Sequence, residues 1–182
     1  PVDFTYLVRD GDQIEVYPST QHAGSDDSKF VLDVHLGRLM AYLRVLGFDA
    51  LFPENYDDEN LAQISAEEQR ILLTRDTGLL KRKVVTQGYY VRETNPRKQV
   101  IEVVRHFNLY DQIRPFQRCA RCNGLLEPIE KEAIRDQLEP DTLIYYNEFR
   151  RCTTCGQIYW QGTHYERMQQ MIDEIRANGE SS

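Results

Sequence analysis

The chain has 182 residues, of which 41% are hydrophobic and 28% charged, enough for one domain of ordinary size and a smaller second unit. No run of about 18 apolar residues occurs, which excludes a membrane-spanning helix, and no signal peptide is recognisable, so we expect a cytoplasmic protein. The formal net charge of −7 argues against a protein that binds polyanions over its whole surface.

The charge is nevertheless unevenly distributed. Residues 70–118 contain eleven Lys and Arg against four Asp and Glu; the difference is +7, and the rest of the chain therefore carries −14. Such a segment is usually a solvated surface, but it also leaves room for a face that contacts nucleic acid.

Residues 1–18 show the pattern of a β-hairpin. Val2, Phe4 and Tyr6 alternate with other residues, and the turn sequence RDGDQ precedes a second short apolar run. Because an isolated hairpin is marginally stable and the chain begins with Pro1 and no Met, we expect this segment to be the end of a domain that starts upstream. Residues 19–28 are polar and are interpreted as a linker.

From residue 29 the pattern alternates between strands and helices. The predicted elements are, in order, a strand at KFVLD (29–33), a helix at LGRLMAYLRVLG (36–47), a strand at FDALF (48–52), a helix at DDENLAQISAEEQR (57–70), a strand at ILLT (71–74), a short helix at TGLLKRK (77–83), a strand at YYVRE (89–93) and a helix after Pro96. This order predicts a small parallel sheet with helices on its faces, an α/β fold.

All four cysteines lie in the last third of the chain, in two matched pairs. Cys119-x-x-Cys122 and Cys152-x-x-Cys155 are separated by 29 residues, and each pair can hold one side of a tetrahedral ion from one tight turn. Two disulfides, free buried thiols or a redox pair are the alternatives, but disulfides are rare in the cytosol and a redox site needs a single pair. We therefore predict a structural Zn²⁺ site, since four protein ligands leave no open position for a reacting water. A helix is expected at HYERMQQMIDEIRAN, where His164 is interpreted as a packed or surface residue.

Aspartates follow two of the predicted strands and begin the helix between them. Asp33 ends FVLD, Asp76 follows ILLTR, and Asp58, with Asp57 beside it, begins the second helix. Ligands gather at the carboxyl ends of parallel strands, and converging carboxylates repel unless a cation such as Mg²⁺ or Mn²⁺ lies between them. Each acid also has a simpler interpretation, as a helix cap for Asp57, Asp58 and Asp76 and as a loop residue for Asp33. Jointly they indicate the metal site of a phosphodiesterase.

These stretches together resemble the Mut-7 C-terminal RNase family, PIN-like nuclease domains with an appended zinc ribbon. The resemblance rests on FVLDVHLGRLMAYLRVLGFDALF, DDENLAQISAEEQRILLTRDTGLLKR, RCARCNGLL and RRCTTCGQIYWQGTHYERM, in this order, and covers roughly residues 29–172. PVDFTYLVRDGDQIEVYP is similar to the end of the ubiquitin-like β-grasp domain that precedes the RNase domain in many members. The expected units are a C-terminal hairpin of a ubiquitin-like domain (1–18), a linker (19–28), a PIN-like nuclease domain (29–117) and a zinc ribbon with a C-terminal helix (118–182).

The resemblance implies a metal-dependent endoribonuclease with catalytic residues Asp33, Asp58 and Asp76. Asp58 is favoured over Asp57 because it fits the family's Asp-x-x-Leu-x-x-Ile register ahead of RILLTRD. The implied cofactors are Mg²⁺ or Mn²⁺ at the aspartates and structural Zn²⁺ at the cysteines. RNA is the expected partner, and a protein partner could bind through the N-terminal ubiquitin-like domain.

Several assignments stay open at this point. PIN-like sites commonly have a fourth acid, for which Asp49 and Glu93 are both candidates. Arg38, Arg75 and Lys81 could hold phosphate, although Arg38 and Arg44 could equally be solvated helix positions. Tyr159-Trp160 could stack a base or pack against the ribbon. The alternatives to a nuclease are a catalytically weak RNA- or protein-binding module and, less favoured, an antitoxin-regulated toxin.

Overall fold

The computed structural model describes residues 28–53 and 55–180, so the predicted ubiquitin-like hairpin (1–18) lies outside the described residues. The strands are β1 (Lys29–Leu32), β2 (Asp49–Leu51), β3 (Ile71–Thr74), β4 (Gly88–Tyr90), β5 (Leu126–Ile129), β6 (Phe149–Cys152) and β7 (Ile158–Trp160). The α-helices are α1 (Gly37–Val45), α2 (Asp58–Glu67), α3 (Thr77–Leu80), α4 (Pro96–His106), α5 (Pro140–Tyr145) and α6 (Thr163–Glu180). Short 3₁₀ helices lie at Val34–Leu36, Tyr110–Gln112 and Lys131–Gln137. In this part of the chain, no helix has the length and apolar character needed to cross a membrane.

The first four strands form a parallel sheet in the order β2-β1-β3-β4. Phe30 of β1 lies opposite Ala50 of β2 and Ile71 of β3. All four residues of β3 are buried, as expected for an uninterrupted apolar strand covered on both faces. The predicted α/β architecture is therefore confirmed.

Helices cover both faces of this sheet. On one face, α1, α4 and α6 form the larger core, which includes Leu39, Leu43, Val100, Val103 and Ile172. On the other face, α2 and α3 contribute Leu61, Ala62 and Leu79. The apolar stripe of α6 thus returns to the parallel sheet, although α6 follows the ribbon in sequence.

The remaining strands form a separate antiparallel sheet in the order β5-β6-β7; Cys152 ends β6, and the first cysteine pair packs against this sheet. Leu126 of β5 lies opposite Cys152 of β6, and Phe149 of β6 lies opposite Trp160 of β7. This small sheet is the ribbon of the sequence prediction. The division of the chain into separate folding units stays a prediction.

The connections of the parallel sheet run in opposite directions from β1 and from β3, which makes this position a topological switch point. The chain leaves β1 through α1 towards β2 on one side, and leaves β3 through α3 towards β4 on the other. The carboxyl ends of β1 and β3 therefore flank the point where the strand order reverses. This is the position at which open parallel sheets usually bind their ligands.

Candidate metal centres

Asp33 and Asp76 lie on the two sides of this switch point and are linked by Thr74. Leu32 lies opposite Leu73, which places the next residues, Asp33 and Thr74, side by side at the carboxyl ends of β1 and β3. The Thr74 hydroxyl donates to Asp33 Oδ2 at 2.9 Å and accepts from the backbone N–H of Asp76 at 2.9 Å. Asp33 is 9% exposed and Thr74 is fully buried, so this connection is a fixed part of the sheet edge.

The other predicted acids lie at helix starts. Asp57 is the N-cap of α2, and its Oδ1 accepts from the backbone N–H of Asn60 at 2.9 Å. Asp58, the first residue of α2, is left exposed beside it. Asp76 is exposed and caps α3, with Oδ1 accepting from Gly78 N at 2.6 Å. The prediction of a helix cap is thus confirmed for Asp57 and for Asp76, which uses one carboxylate oxygen for it.

The three predicted catalytic acids do not form a compact ligand group. Within the described residues, the four cysteines have ligand atoms that all lie within 4.8 Å of one another, and Asp33, Asp58 and Asp76 do not form such a group. The structure therefore brings Asp33 and Asp76 to one edge of the sheet, and the catalytic assignment of all three stays a prediction.

The two candidates for a fourth acid lie at opposite edges. Asp49 is the first residue of β2 and lies where the parallel strands begin. Its carboxylate pairs there with Arg70 at 2.7 Å and with Arg118 at 3.6 Å. Burial opposes ionisation of Asp49, but the hydrogen bonds from Arg70 and Asn123 outweigh it and hold its pKa below the usual value. Glu93 follows β4 and lies at the carboxyl edge with the predicted acids.

The peptide of Glu93 is held by side chains on both sides. Its N–H donates to Glu102 Oε2 at 2.9 Å, and its carbonyl accepts from Gln99 Nε2 at 2.9 Å and from Arg75 Nη1 at 3.0 Å. Glu102 also accepts from the N–H of Arg92 at 2.9 Å. Burial favours the neutral form of Glu102, but these backbone donors prevail and lower its pKa.

The predicted phosphate-binding residues differ in whether their charged groups are exposed or already bonded within the protein. Arg38 is exposed on the first turn of α1 at the carboxyl edge, and Lys81 is exposed at the end of α3. Arg75 is partly engaged, because its guanidinium fixes the Glu93 carbonyl. The interpretation of Arg44 as a solvated helix position was wrong: Arg44 is 4% exposed, because it bonds carbonyl groups inside the protein.

The four cysteines converge as the spacing predicts. Sγ of Cys119 lies 3.7 Å from Sγ of Cys155, and Sγ of Cys122 lies 3.4 Å from Sγ of Cys152. Tetrahedral Zn²⁺ with sulfur ligands at about 2.3 Å requires sulfur separations of about 3.8 Å, so the donor set and its geometry fit this ion. The Tyr159 hydroxyl lies 3.1 Å from Sγ of Cys119 and can donate to a thiolate there.

Two of the four thiols, Cys122 and Cys152, have shifted pKa values. Burial opposes ionisation of Cys152, but backbone N–H groups of Cys155 and Thr154 and neighbouring thiols lower its pKa to about 6. Burial and the hydrogen bonds to the other cysteines raise the pKa of Cys122 to about 12. A bound divalent cation would stabilise the thiolate form of all four cysteines.

Each cysteine pair forms the same turn, which we call a knuckle, at residues 119–123 and 152–156. Asn123 N donates to the Cys119 carbonyl at 2.9 Å, and Gly156 N donates to the Cys152 carbonyl at 3.0 Å. Both Asn123 (φ 69°) and Gly156 (φ 74°) adopt left-handed conformations. Gly is the usual residue there, and Asn is one of the few others that tolerate it.

Sequence reasoning missed the polar residues that fix these sites. Hydrogen bonds at the carboxyl ends of the parallel strands are made by Thr74, Gln99 and Glu102. Hydrogen bonds that fix the first knuckle are made by Arg44 and Asn123. The sequence signal that could have identified them is a polar residue on the buried face of a helix. Gln99 is an example, since it is 5% exposed and lies beside the buried Val100 and Val103 on α4. Their partners are distant in sequence, so the pattern alone could not identify them.

Comparisons with known proteins assign the family. The model of the Mut7-C RNAse domain matches residues 28–172, which include the parallel sheet, all the predicted aspartates and both cysteine pairs. Searches of curated proteins and of solved structures found no significant match. This nuclease-type family accords with the acids at the carboxyl edge and with the four-cysteine cluster. The chain belongs to the Mut7-C RNase domain family.

Proposed function

We propose that this protein is a metal-dependent endoribonuclease that hydrolyses phosphodiester bonds of RNA at the carboxyl edge of its parallel sheet. The observation that supports this most is the Asp33–Thr74–Asp76 connection, because it joins two acidic residues at the point of the parallel sheet where ligands usually bind, in a nuclease-family domain.

The residues divide into fixed and exposed acids. Asp33 is buried and oriented by Thr74, whereas Asp58 and Asp76 are exposed and can turn towards a shared ion. Among the fourth-acid candidates we favour Glu93, since it lies at the same edge, whereas Asp49 is engaged by arginines at the opposite one. Oxygen ligands of this kind suit Mg²⁺ or Mn²⁺. Such an ion, when bound, would lower the pKa of a coordinated water and neutralise charge on the leaving oxygen.

The basic residues at the same edge would orient the RNA backbone. Arg38 and Lys81 are exposed and free to approach phosphates that flank the scissile bond. Arg75 contributes indirectly, because its guanidinium holds the Glu93 carbonyl. The predicted Zn²⁺ has a separate, structural role at the four cysteines, whose ligand set is complete without water.

Metal add-back on an unstructured single-stranded RNA tests the proposal. Protein freed of Mg²⁺ and Mn²⁺, with its zinc content measured and retained, should cleave the RNA internally only after either ion is returned. A DNA strand of the same sequence serves as the control substrate. Cleavage that is unaffected by removal of both ions would contradict the proposal.

One observation favours the alternative, a binding module. A cavity of about 740 Å³ lies between the ribbon and the start of α6. Its wall includes Phe116 stacked on Tyr165 with ring centroids 4.3 Å apart, and Trp160, which is 39% exposed. Aromatic rings beside Arg150 could stack unpaired bases.

The alternative is tested by RNA binding without added metal. If the cavity is the main RNA site, Trp160→Ala should weaken binding, whereas Tyr145→Ala, at an exposed residue outside the cavity, should not. Strong binding of this kind with no turnover under any metal condition would favour the binding module over the nuclease.

A further inference from the structure

Arg44 connects α1 to the first knuckle from inside the protein. Its guanidinium donates to the carbonyls of Ala120 at 3.1 Å and of Arg121 at 2.9 Å, the two residues between Cys119 and Cys122. Its Nε donates to the carbonyl of Ala50 at 2.9 Å. One buried side chain therefore joins the backbone of the knuckle to strand β2.

Asn123 makes a second connection to the same strand. Its Oδ1 accepts from the backbone N–H of Ala50 at 3.1 Å, and its Nδ2 donates to Asp49 Oδ1 at 2.7 Å. Ala50 is fully buried, so its N–H depends on Asn123 and its carbonyl on Arg44. Since β2 is an outer strand of the sheet, the knuckle occupies an edge whose polar groups would otherwise lack partners.

Ion pairs of Asp49 also connect β2 to the first knuckle and to the start of β3. Asp49 pairs with Arg70, which precedes β3, and with Arg118, which precedes Cys119. Arg118 also donates to the Asn123 carbonyl at 3.0 Å. The surroundings of this carboxylate therefore depend on the knuckle keeping its conformation.

We propose that zinc occupancy of the four-cysteine site controls the order of strand β2, through Arg44 and Asn123, so that the ribbon is a zinc-dependent latch on the parallel sheet. Without the ion, the knuckle is no longer held by converging thiolates, and the buried peptide groups of Ala50 lose their partners, which is costly. The proposal rests on zinc binding at the cysteines and is independent of ribonuclease activity.

Hydrogen exchange read by mass spectrometry tests the latch, with zinc content measured in every sample. Removal of zinc by a chelator at neutral pH should accelerate exchange in β2 by roughly 5- to 30-fold, the effect of losing two buried hydrogen bonds, in parallel with β5 and β6. Exchange in β4, at the far edge of the sheet, reports whether the whole sheet opens.

Asn123→Asp separates the latch from the metal site. Asp tolerates the left-handed backbone but sets a carboxylate against Asp49 in place of the amide donor. This variant should retain zinc, yet its β2 should exchange faster than in the zinc-loaded wild type, because the Arg44 bonds remain but the Asn123 connection to Asp49 is lost. Asn147→Asp, the same change at an exposed ribbon position, should behave as the wild type does.

Two outcomes of the exchange measurements would overturn the proposal, and a third result would remove its premise. In one, zinc removal accelerates exchange only in the ribbon and β2 keeps its zinc-bound rate. In the other, zinc-loaded Asn123→Asp shows wild-type exchange in β2. Wild-type protein that binds no zinc would refute the zinc site and the latch together, and would leave the ribonuclease proposal untouched.

Discussion

Thr74 shows how one hydroxyl can organise a candidate site. It donates to the Asp33 carboxylate and accepts from the backbone N–H of Asp76, so one uncharged oxygen orients the first acid and fixes the backbone of the second. The residue belongs to the buried strand ILLT, where Thr would ordinarily be assigned to β-propensity alone. Its partner Asp33 lies 41 residues earlier, which is why the sequence pattern gave no indication of the bond.

Thr74→Val should destabilise the protein by about 1–3 kcal/mol and reduce RNA cleavage. Valine has nearly the same shape, but it leaves a buried Asp33 oxygen and the Asp76 N–H without their partner. Urea unfolding and a cleavage assay measure the two effects. Thr74→Ser keeps the hydroxyl and is the matched control; if Thr74→Val and Thr74→Ser were equally stable and equally active, the bridging role would be wrong.

The aspartates themselves were predictable as residues, because apolar strands that end in Asp mark one edge of a parallel sheet. Their separate roles were less visible. The family register favours Asp58 over Asp57 as the catalytic residue, but both were candidates for the helix cap, and only the hydrogen bond from Asn60 shows that Asp57 caps the helix. Arg44 looked like a solvated helix position, since its carbonyl partners on β2 and on the knuckle are brought to it by the fold.

At the scale of elements, the segment after β4 is fixed by α4. The Glu102 carboxylate accepts from the backbone N–H groups of Arg92 and Glu93. The Gln99 side chain donates to the carbonyl of Glu93. The α4 helix was predictable from Pro96 and its apolar stripe, and the structure confirms it. The contacts that α4 makes through its polar residues depend on the loop geometry, which periodicity does not specify.

Glu102→Gln should remove part of the acid sensitivity of the fold. Because the pKa of Glu102 is lowered on folding, its contribution to stability is present above its ordinary value of 4.5 and is lost as the pH falls through the folded-state value. The variant should be less stable than the wild type at pH 7, with the difference shrinking below about pH 4.5. Urea unfolding across this range measures the effect, and Glu127→Gln on the exposed face of β5 is the control. A difference that stays constant with pH would contradict this role.

Gly124 gives a prediction for the ribbon. A Cβ at this position would lie 2.5 Å from Thr154 Oγ1 and 2.8 Å from Sγ of Cys152, so Gly124→Ala must displace the second knuckle. We expect zinc affinity to fall by about 10- to 100-fold, as for other residues that support metal ligands. Competition with a chromophoric chelator measures it, with Glu148→Ala as the control in the same ribbon. Unchanged affinity would show that the knuckle can move without cost.

For the whole molecule, α6 is the element that leads the chain from the ribbon back to the parallel sheet. The helix comes after the ribbon in sequence, but Met171, Ile172 and Ile175 are buried in the core that β1, α1 and α4 share. The sequence predicted the helix. It could not predict which surface the helix covers, because an apolar stripe fits either neighbour.

Ile172→Ala should therefore destabilise the parallel sheet, by about 2–5 kcal/mol, because it opens a cavity at a fully buried position. Gln170→Ala, on the exposed face of the same helix, should change the stability by less than about 0.5 kcal/mol. Urea unfolding measures both variants, and hydrogen exchange in β1 and β3 locates the effect. If exchange increased in the ribbon alone, α6 would belong energetically to the ribbon.

The rate of metal-dependent RNA cleavage by the double variant Asp33→Asn/Asp76→Asn tests the central claim most directly. With the fold and zinc content intact, the account predicts a rate at least about 100-fold below that of the wild type, as expected when several kcal/mol of metal-based stabilisation is lost. Asp57→Asn, which keeps a capping side chain beside Asp58, should retain the wild-type rate. An unchanged rate in the double variant would contradict the assignment of the active site to the carboxyl edge of the sheet.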